Sequence, residues 1–171
     1  SRNGEEFRLV HSIPKDKVSR LSGADVRSIE GQQILKDPGT GRYHLYLALD
    51  DGAGWGTFLF SAESPKGPWR FECEAIARSE GYDSREARDC SIGIVDGLYL
   101  ALYKANSGKD VRTALATSGD GFEWRKSGPL RLDGTEQPHY HLLCGSFLAG
   151  SMGPIFVGFD SREVKNGAAV S

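Results

Sequence analysis

One order of parts occurs twice in this chain, and it constrains the fold more than any other feature. ILKDPGTGRYHLYLAL (34–49) is followed by WGTFLFSAESPKGPWRFE (55–72), and IGIVDGLYLALYKA (92–105) by VRTALATSGDGFEWRKSG (111–128). Each unit opens on an apolar run, turns at Asp37-Pro38-Gly39 or Asp96-Gly97, and continues as a strand led by Tyr43 or Tyr99. A polar loop and a third strand follow, ending at Ser64 or Ser118; then Trp69 or Trp124, each followed by Arg, opens a short fourth strand. Short runs of Val, Ile, Tyr, Phe and Leu between Gly, Asp, Pro and Ser turns mark an all-β chain. Four antiparallel strands per repeat is the layout of a β-propeller blade. A third copy starts at EQPHYHLLCGSFLAG (136–150), runs through GPIFVGFDS (153–161) and lacks the closing Trp.

The expected organisation is therefore an N-terminal segment (1–23), about three blades over 24–161, and a C-terminal tail (162–171). The blades divide at roughly 24–75, 76–130 and an incomplete 131–161. A β-sandwich of similar strands is the alternative, and the matching turn chemistry of the two units favours blades. About three blades fall short of the smallest usual propeller, which has about four. The chain then reads as a piece of a larger propeller, or as an open one that self-associates through an unpaired blade edge.

Composition narrows the partners. The formal net charge of the 171 residues is −2, with charges of both signs interleaved, so there is no electrostatic footprint for nucleic acid or an anionic membrane. No run approaches the ~18 apolar residues of a transmembrane helix. No signal peptide is visible, which makes the cytoplasm the default expectation, and the chain opens SRNGEEF without a Met, as a processed piece would. Cys73, Cys90 and Cys144 are odd in number and widely spaced, unlike a disulfide framework or a metal-binding pair. They are expected to be buried free thiols, and no metal site is expected.

Aligning the first strands of the units sets Asp89 opposite Glu30 in SIEGQQIL and Glu136 in GTEQPHYHLL. In a propeller the first strand of each blade lines the central channel, so acids leading those strands gather on one face around the axis. Carboxyls brought together have their pKa values pushed apart, which makes one a proton donor and another a base. Glycoside hydrolysis needs such a set. Taken singly, each acid also reads as a solvated turn residue before a strand.

The order ARDCSIGIVDGLYLALY, SPKGPW and SGDGFEW, with Glu-x-Pro at 136–138, resembles the five-bladed glycosidase propellers. The nearest are glycoside hydrolase families 43 and 130, and more distantly 32, over roughly residues 24–160. The resemblance implies a carbohydrate-active protein acting on an oligosaccharide or glycoside, by inverting hydrolysis or by phosphorolysis. Family 43 uses a blade-leading Asp as general base, a second Asp that tunes and orients, and a Glu as general acid. By position Asp89 matches the second Asp and Glu136 the acid, while the place of the base offers Glu30 or Asp25. Family 130 sets an Asp beside basic residues that hold phosphate, where this chain has Arg85 and Arg88. No cofactor is implied, although a central structural cation is compatible with the family pattern. The rival function, of a different class, is a non-catalytic carbohydrate-binding or structural propeller piece.

Other residues bear on the same choice. His139 and His141 alternate in PHYHLL and so share one face of a strand, from which they can reach sugar hydroxyls or a central ion. His44, between Tyr43 and Leu45, reads as structural. Trp55 ends the glycine-rich loop DDGAGW, where it can stack on a sugar ring or pack over the sheet edge. Trp69 and Trp124, at equivalent repeat positions, are expected to pack the blades. No phosphate loop follows DGAGWG, and Ser91 and Ser146 lack a nucleophile elbow.

Overall fold

The structure is a computed structural model, and it describes residues 4–132, 134–136, 140–141, 147–150, 153–156 and 159–160. Two four-stranded antiparallel blades dominate it. The first contains β1 (Ser28–Lys36), β2 (Tyr43–Asp50), β3 (Trp55–Ala62) and β4 (Arg70–Ile76). The second contains β5 (Glu86–Val95), β6 (Leu98–Asn106), β7 (Val111–Ser118) and β8 (Arg125–Pro129). In each blade consecutive strands are neighbours, without the crossovers of a Greek-key sandwich, so the fold is all-β and propeller-like. A single parallel bridge, Trp55 to Glu86, joins the blades, and the combined sheet does not close on itself. Beyond β8 come short antiparallel pairs. These are β9 (Arg131–Leu132) with β10 (Thr135–Glu136), β11 (Tyr140–His141) with β14 (Phe159–Asp160), and β12 (Phe147–Gly150) with β13 (Gly153–Phe156).

The alternation of apolar residues divides each strand between two faces. On β2, Tyr46 turns to the second blade, where it joins Leu59, Ala87, Ile92, Tyr99 and Tyr103 in one core. Leu47 and Leu49 turn the other way, joining Phe58, Phe60 and Trp69. That outward face is covered by α1 (Lys15–Ser22), a helix inside the segment expected only to lead into the first blade. Pro14 precedes α1, an Asp16–Arg20 pair spans one of its turns, and Gly23 in the left-handed region ends it by donating to the Ser19 carbonyl at 2.9 Å. Val18 is its buried residue, and Val26 beyond it packs on the same core. Among the described residues no helix is long and apolar enough to cross a membrane.

Both repeat tryptophans pack against their blades. Trp69 is buried under the first, and Trp124 stands edge-on to Tyr46 and Tyr99 while donating to the Gly121 carbonyl at 2.9 Å. His44 is buried between the blades, stacked on Tyr99 with its edge to Phe122. Burial holds its imidazole below the usual His range, so it is a neutral structural residue. The Cys90 thiol shares a 3.2 Å contact with the Thr57 hydroxyl, and burial pushes it up to about 12. Cys73 is also a free thiol, whereas Cys144 lies outside the described residues.

Polar bonds tie the blades where the core leaves backbone groups between sheets. The Gln33 side chain on β1 donates from Nε2 to the Ile92 carbonyl and accepts at Oε1 from the Ile92 N–H, both at 2.7 Å. The amide thus pairs with both main-chain polar groups of one β5 residue, as a residue of another strand would. Thr57 donates to the Ala87 carbonyl at 2.8 Å, Tyr46 to the Gly121 carbonyl at 2.8 Å and Tyr99 to Asp37 at 2.6 Å. Buried Asp83, in the connector between the blades, accepts from Ser79, Tyr103 and Lys126. Replacing Gln33 by Ala leaves the Ile92 N–H and C=O without these partners, so the variant should lose about 1–3 kcal/mol of stability. Urea denaturation of the two proteins side by side checks this; an unchanged midpoint at unchanged slope would remove the clamp from the account.

Candidate functional site

The inner strands β1 and β5 meet at their N-terminal ends, and both bulge there. In β1 the register with β2 slips between Glu30 and Gln32, leaving Gly31 as the extra residue. In β5 it slips between Arg88 and Ser91, so Asp89 and Cys90 bulge away from β6. The bulges occupy equivalent repeat positions, and each contains a residue with positive φ: Gly31 at 41° and Asp89 at 53°. Left-handed backbone is uncommon for an ordinary residue, though aspartate tolerates it better than most. In this conformation the Asp89 carboxyl turns toward β1. A Cβ on Gly31 would collide with Asp89 Oδ1, so only glycine lets the two strands approach this closely.

Asp89 is nearly enclosed, with its side chain 11% exposed, and its Oδ1 is buried without a hydrogen-bond partner. Burial raises its pKa above the ordinary aspartate value, an effect that the Arg88 and Lys104 charges only partly offset. Arg88 organises the surrounding charges. It donates to Glu30 Oε2 across the blade interface and to Glu86 Oε2 at 3.3 Å, while its Nε stands 3.7 Å from Asp89 Oδ2. Its guanidinium lies 4.4 Å over the Trp55 ring, a cation–π contact. Lys104 on β6 pairs with Glu86 at 2.8 Å. Burial would raise the Glu86 pKa, but the Lys104 hydrogen bond and the charges of Lys104 and Arg88 outweigh it and hold the carboxylate ionised. One cluster thus contains three carboxylates and two cations, with an aromatic ring beneath.

Of the residues singled out from the sequence, Glu30, Arg88, Asp89 and Trp55 come together here. Arg85 does not: it is exposed, and its side chain lies near Gly108 in the β6–β7 loop, away from the carboxylates. Asp25 is exposed between α1 and β1 and enters none of the cluster's ion pairs. Glu136 ends β10, opposite Arg131, and its side chain is outside the described residues. His141 has a described backbone in β11, and His139 lies outside the described residues. Glu86 and Lys104 went unremarked in the sequence, although both left a signal. Glu86 shares a strand face with Arg88 by alternation, and Lys104 is a lone charge in the apolar run LYLALYKA. Among the described residues no group of three or more His, Cys, Asp or Glu side chains is placed to hold a metal ion.

The Asp89 environment fixes the sign of a pH effect. Its raised folded-state pKa favours the protonated form, so its contribution to stability is fully present below about 3.8 and is lost as pH rises through the folded value. Asp89→Asn should therefore be more stable than the parent at neutral pH, with the advantage vanishing toward pH ~3. Denaturation midpoints across that range test it, and an Asn variant less stable at neutral pH would contradict the burial argument.

Three solved structures share this architecture. A family 117 glycoside hydrolase, Zg3597 from the marine bacterium Zobellia galactanivorans, superposes with a TM-score of 0.62 at 21% identity, over 79% of this chain and 40% of that one. A GH130 structure, from work on mannoside phosphorylases and hydrolases that target β-1,2 mannosidic linkages in Candida mannan, gives 0.55 at 16% identity, over 75% and 40%. A thermostable family-43 glycoside hydrolase gives 0.55 at 17% identity, over 77% and 41%. No family model matches the sequence, and no curated protein does. The chain spans less than half the length of each of these structures, and its blades form part of a β-propeller fold like theirs.

Proposed function

We propose that the chain contributes the acidic centre of a carbohydrate-active propeller that cleaves a glycosidic bond by hydrolysis with inversion. The observation that carries this is the meeting of Glu30 and Asp89, 59 positions apart in sequence, around the single guanidinium of Arg88. Inverting hydrolysis divides the work between an ionised carboxylate that activates water and a protonated carboxyl that assists departure of the leaving group. Glu30, half-exposed and paired with Arg88, has the access a general base needs. Asp89, enclosed and biased toward its protonated form, suits an orienting carboxyl that hydrogen-bonds a sugar hydroxyl or tunes its neighbours. Glu136 takes the acid role that its place in the repeat implies.

Water is favoured over phosphate as the attacking group. A phosphorylase needs cations free to hold the anion, whereas Arg88 is engaged by Glu30 and Glu86, and Lys104 by Glu86.

The test is a panel of aryl glycosides assayed with and without inorganic phosphate. Release of aryl alcohol without phosphate is expected, with inverted anomeric configuration by NMR. Glu136→Gln and Glu30→Gln should each lower kcat by about 10²–10⁴-fold. Asp89→Asn should lower it less and shift the pH profile. Release that requires phosphate would replace hydrolysis by phosphorolysis. Sugar binding without turnover would leave a carbohydrate-binding propeller segment.

A further inference from the structure

We propose that Arg78, through a two-point ion pair with Asp51, is a positioning residue that sets Trp55 beneath Arg88. The inference rests on the assignment of the Arg88 cluster as the carbohydrate site and adds a residue that touches neither the carboxylates nor a sugar.

Trp55 is the first residue after the loop 51–54, which includes two glycines with positive φ, Gly52 at 88° and Gly54 at 147°. Such a loop has wide conformational freedom, and nothing in its sequence alone would aim the indole that follows. Its shape is imposed by Asp51. Oδ1 accepts from the N–H of Ala53 at 3.0 Å and of Gly54 at 3.2 Å, while the Asp51 N–H donates to the Gly54 carbonyl at 3.2 Å. The same carboxylate takes both arms of the Arg78 guanidinium, Nη1 to Oδ1 at 3.0 Å and Nη2 to Oδ2 at 2.9 Å. Arg78 belongs to the connector between β4 and β5, not to the loop that it grips. A Cβ on Gly54 would come 3.1 Å from Arg78 Nη1 and collide with the Arg85 carbonyl. One residue later the Trp55 N–H donates to that carbonyl at 3.0 Å.

The loop is thus held at two places to the connector that runs into β5, the strand carrying Arg88 and Asp89. Trp55 comes from the first blade and Arg88 from the second, yet the latch makes their stacking a fixed distance within one unit. The Arg78 and Asp51 side chains are only 19% and 24% exposed, so solvent screens the pair less than an open surface bridge. Their hydrogen bond holds Asp51 below and Arg78 above the ordinary values. A planar fork makes both bonds in one fixed geometry, which the compact ammonium of lysine on its flexible stem does not impose.

The experiment is a cycle of Arg78→Lys and Trp55→Phe, with Asp51→Asn as a second way to open the latch should Arg78→Lys fail to fold. The emission of Trp55 is the difference between each protein and its Trp55→Phe counterpart, since Trp69 and Trp124 remain in both. Opening the latch should red-shift that component and raise its acrylamide quenching about twofold, with the remaining tryptophan signal unmoved. Turnover of the aryl glycoside should fall about tenfold in Arg78→Lys and by no further factor when Trp55 is already Phe. An unmoved Trp55 signal, with stability lost equally in both backgrounds, would overturn the proposal and leave an ordinary structural ion pair. If the parent turns over no glycoside, hydrolysis fails as the function, while the Trp55 quenching still decides the latch.

Discussion

The two hydrogen bonds between the Gln33 amide and the Ile92 peptide set the register on which the site depends. Sheets that pack face to face are held chiefly by apolar contact, which is non-directional and tolerates sliding. A bidentate amide–peptide pair does not. It places β1 and β5 so that residue 33 of one repeat meets residue 92 of the next, 59 positions on. That is also the spacing of Glu30 and Asp89. Equivalent residues of successive blades therefore meet at the strand ends, and a repeat in sequence becomes a convergence in space.

What converges is unfavourable taken piece by piece. Asp89 has a left-handed backbone, a bulge on its strand and a buried oxygen without a partner. Each feature costs stability, and each persists because its surroundings over-determine it. Gly31 clears the space, Thr57 fastens Ala87 just before the bulge, and Arg88 supplies a cation at the other carboxylate oxygen. The two other buried acids among the described residues, Asp37 and Asp83, are satisfied. Asp37 is held well below its ordinary pKa because hydrogen bonds from Thr40, Tyr99 and the turn's backbone outweigh its burial, and Asp83 accepts from several donors. Among the described residues Asp89 thus differs from Asp37 and Asp83 in keeping a buried carboxyl oxygen without a partner, a pattern found at functional groups.

Much of this was legible in the sequence. The order of turns, aromatic strand starts and closing tryptophans is repeated because each blade solves the same packing problem, so the four-strand unit followed from one copy laid on the other. The register of Glu30 with Asp89 followed for the same reason. Arg85 lies apart from the cluster because sequence proximity to Asp89 says nothing of direction: its backbone carbonyl serves Trp55, while its side chain leaves toward Gly108. Arg88, singled out as a ligand for phosphate or sugar, also ties the blades together, since Glu30 and Glu86 engage it from one blade each. Neither bulge could be read, since Glu-Gly-Gln and Asp-Cys-Ser continue their strands without a break in composition. The close approach of Gly31 to Asp89 is a tertiary fact that no periodicity encodes.

The short helix explains why the first blade is ordered on both faces. A blade in the middle of a propeller buries each face against a neighbour. Among the described residues the first blade has a neighbouring blade on one side only, yet Leu49, Phe60 and Trp69 on the other are buried. Val18 and Leu21 of α1, with Ile13, Ala24 and Val26 around it, supply the missing apolar surface. Coverage is complete toward β3 and incomplete at the inner strand, where Ile34 remains 47% exposed. The helix thus stabilises the outer strands of the blade and leaves β1 to be held from the other side, by Gln33 and the β5 clamp. The strand that presents Glu30 is therefore positioned by the second blade more than by its own outer covering, and the geometry of the site is a property of the blade pair.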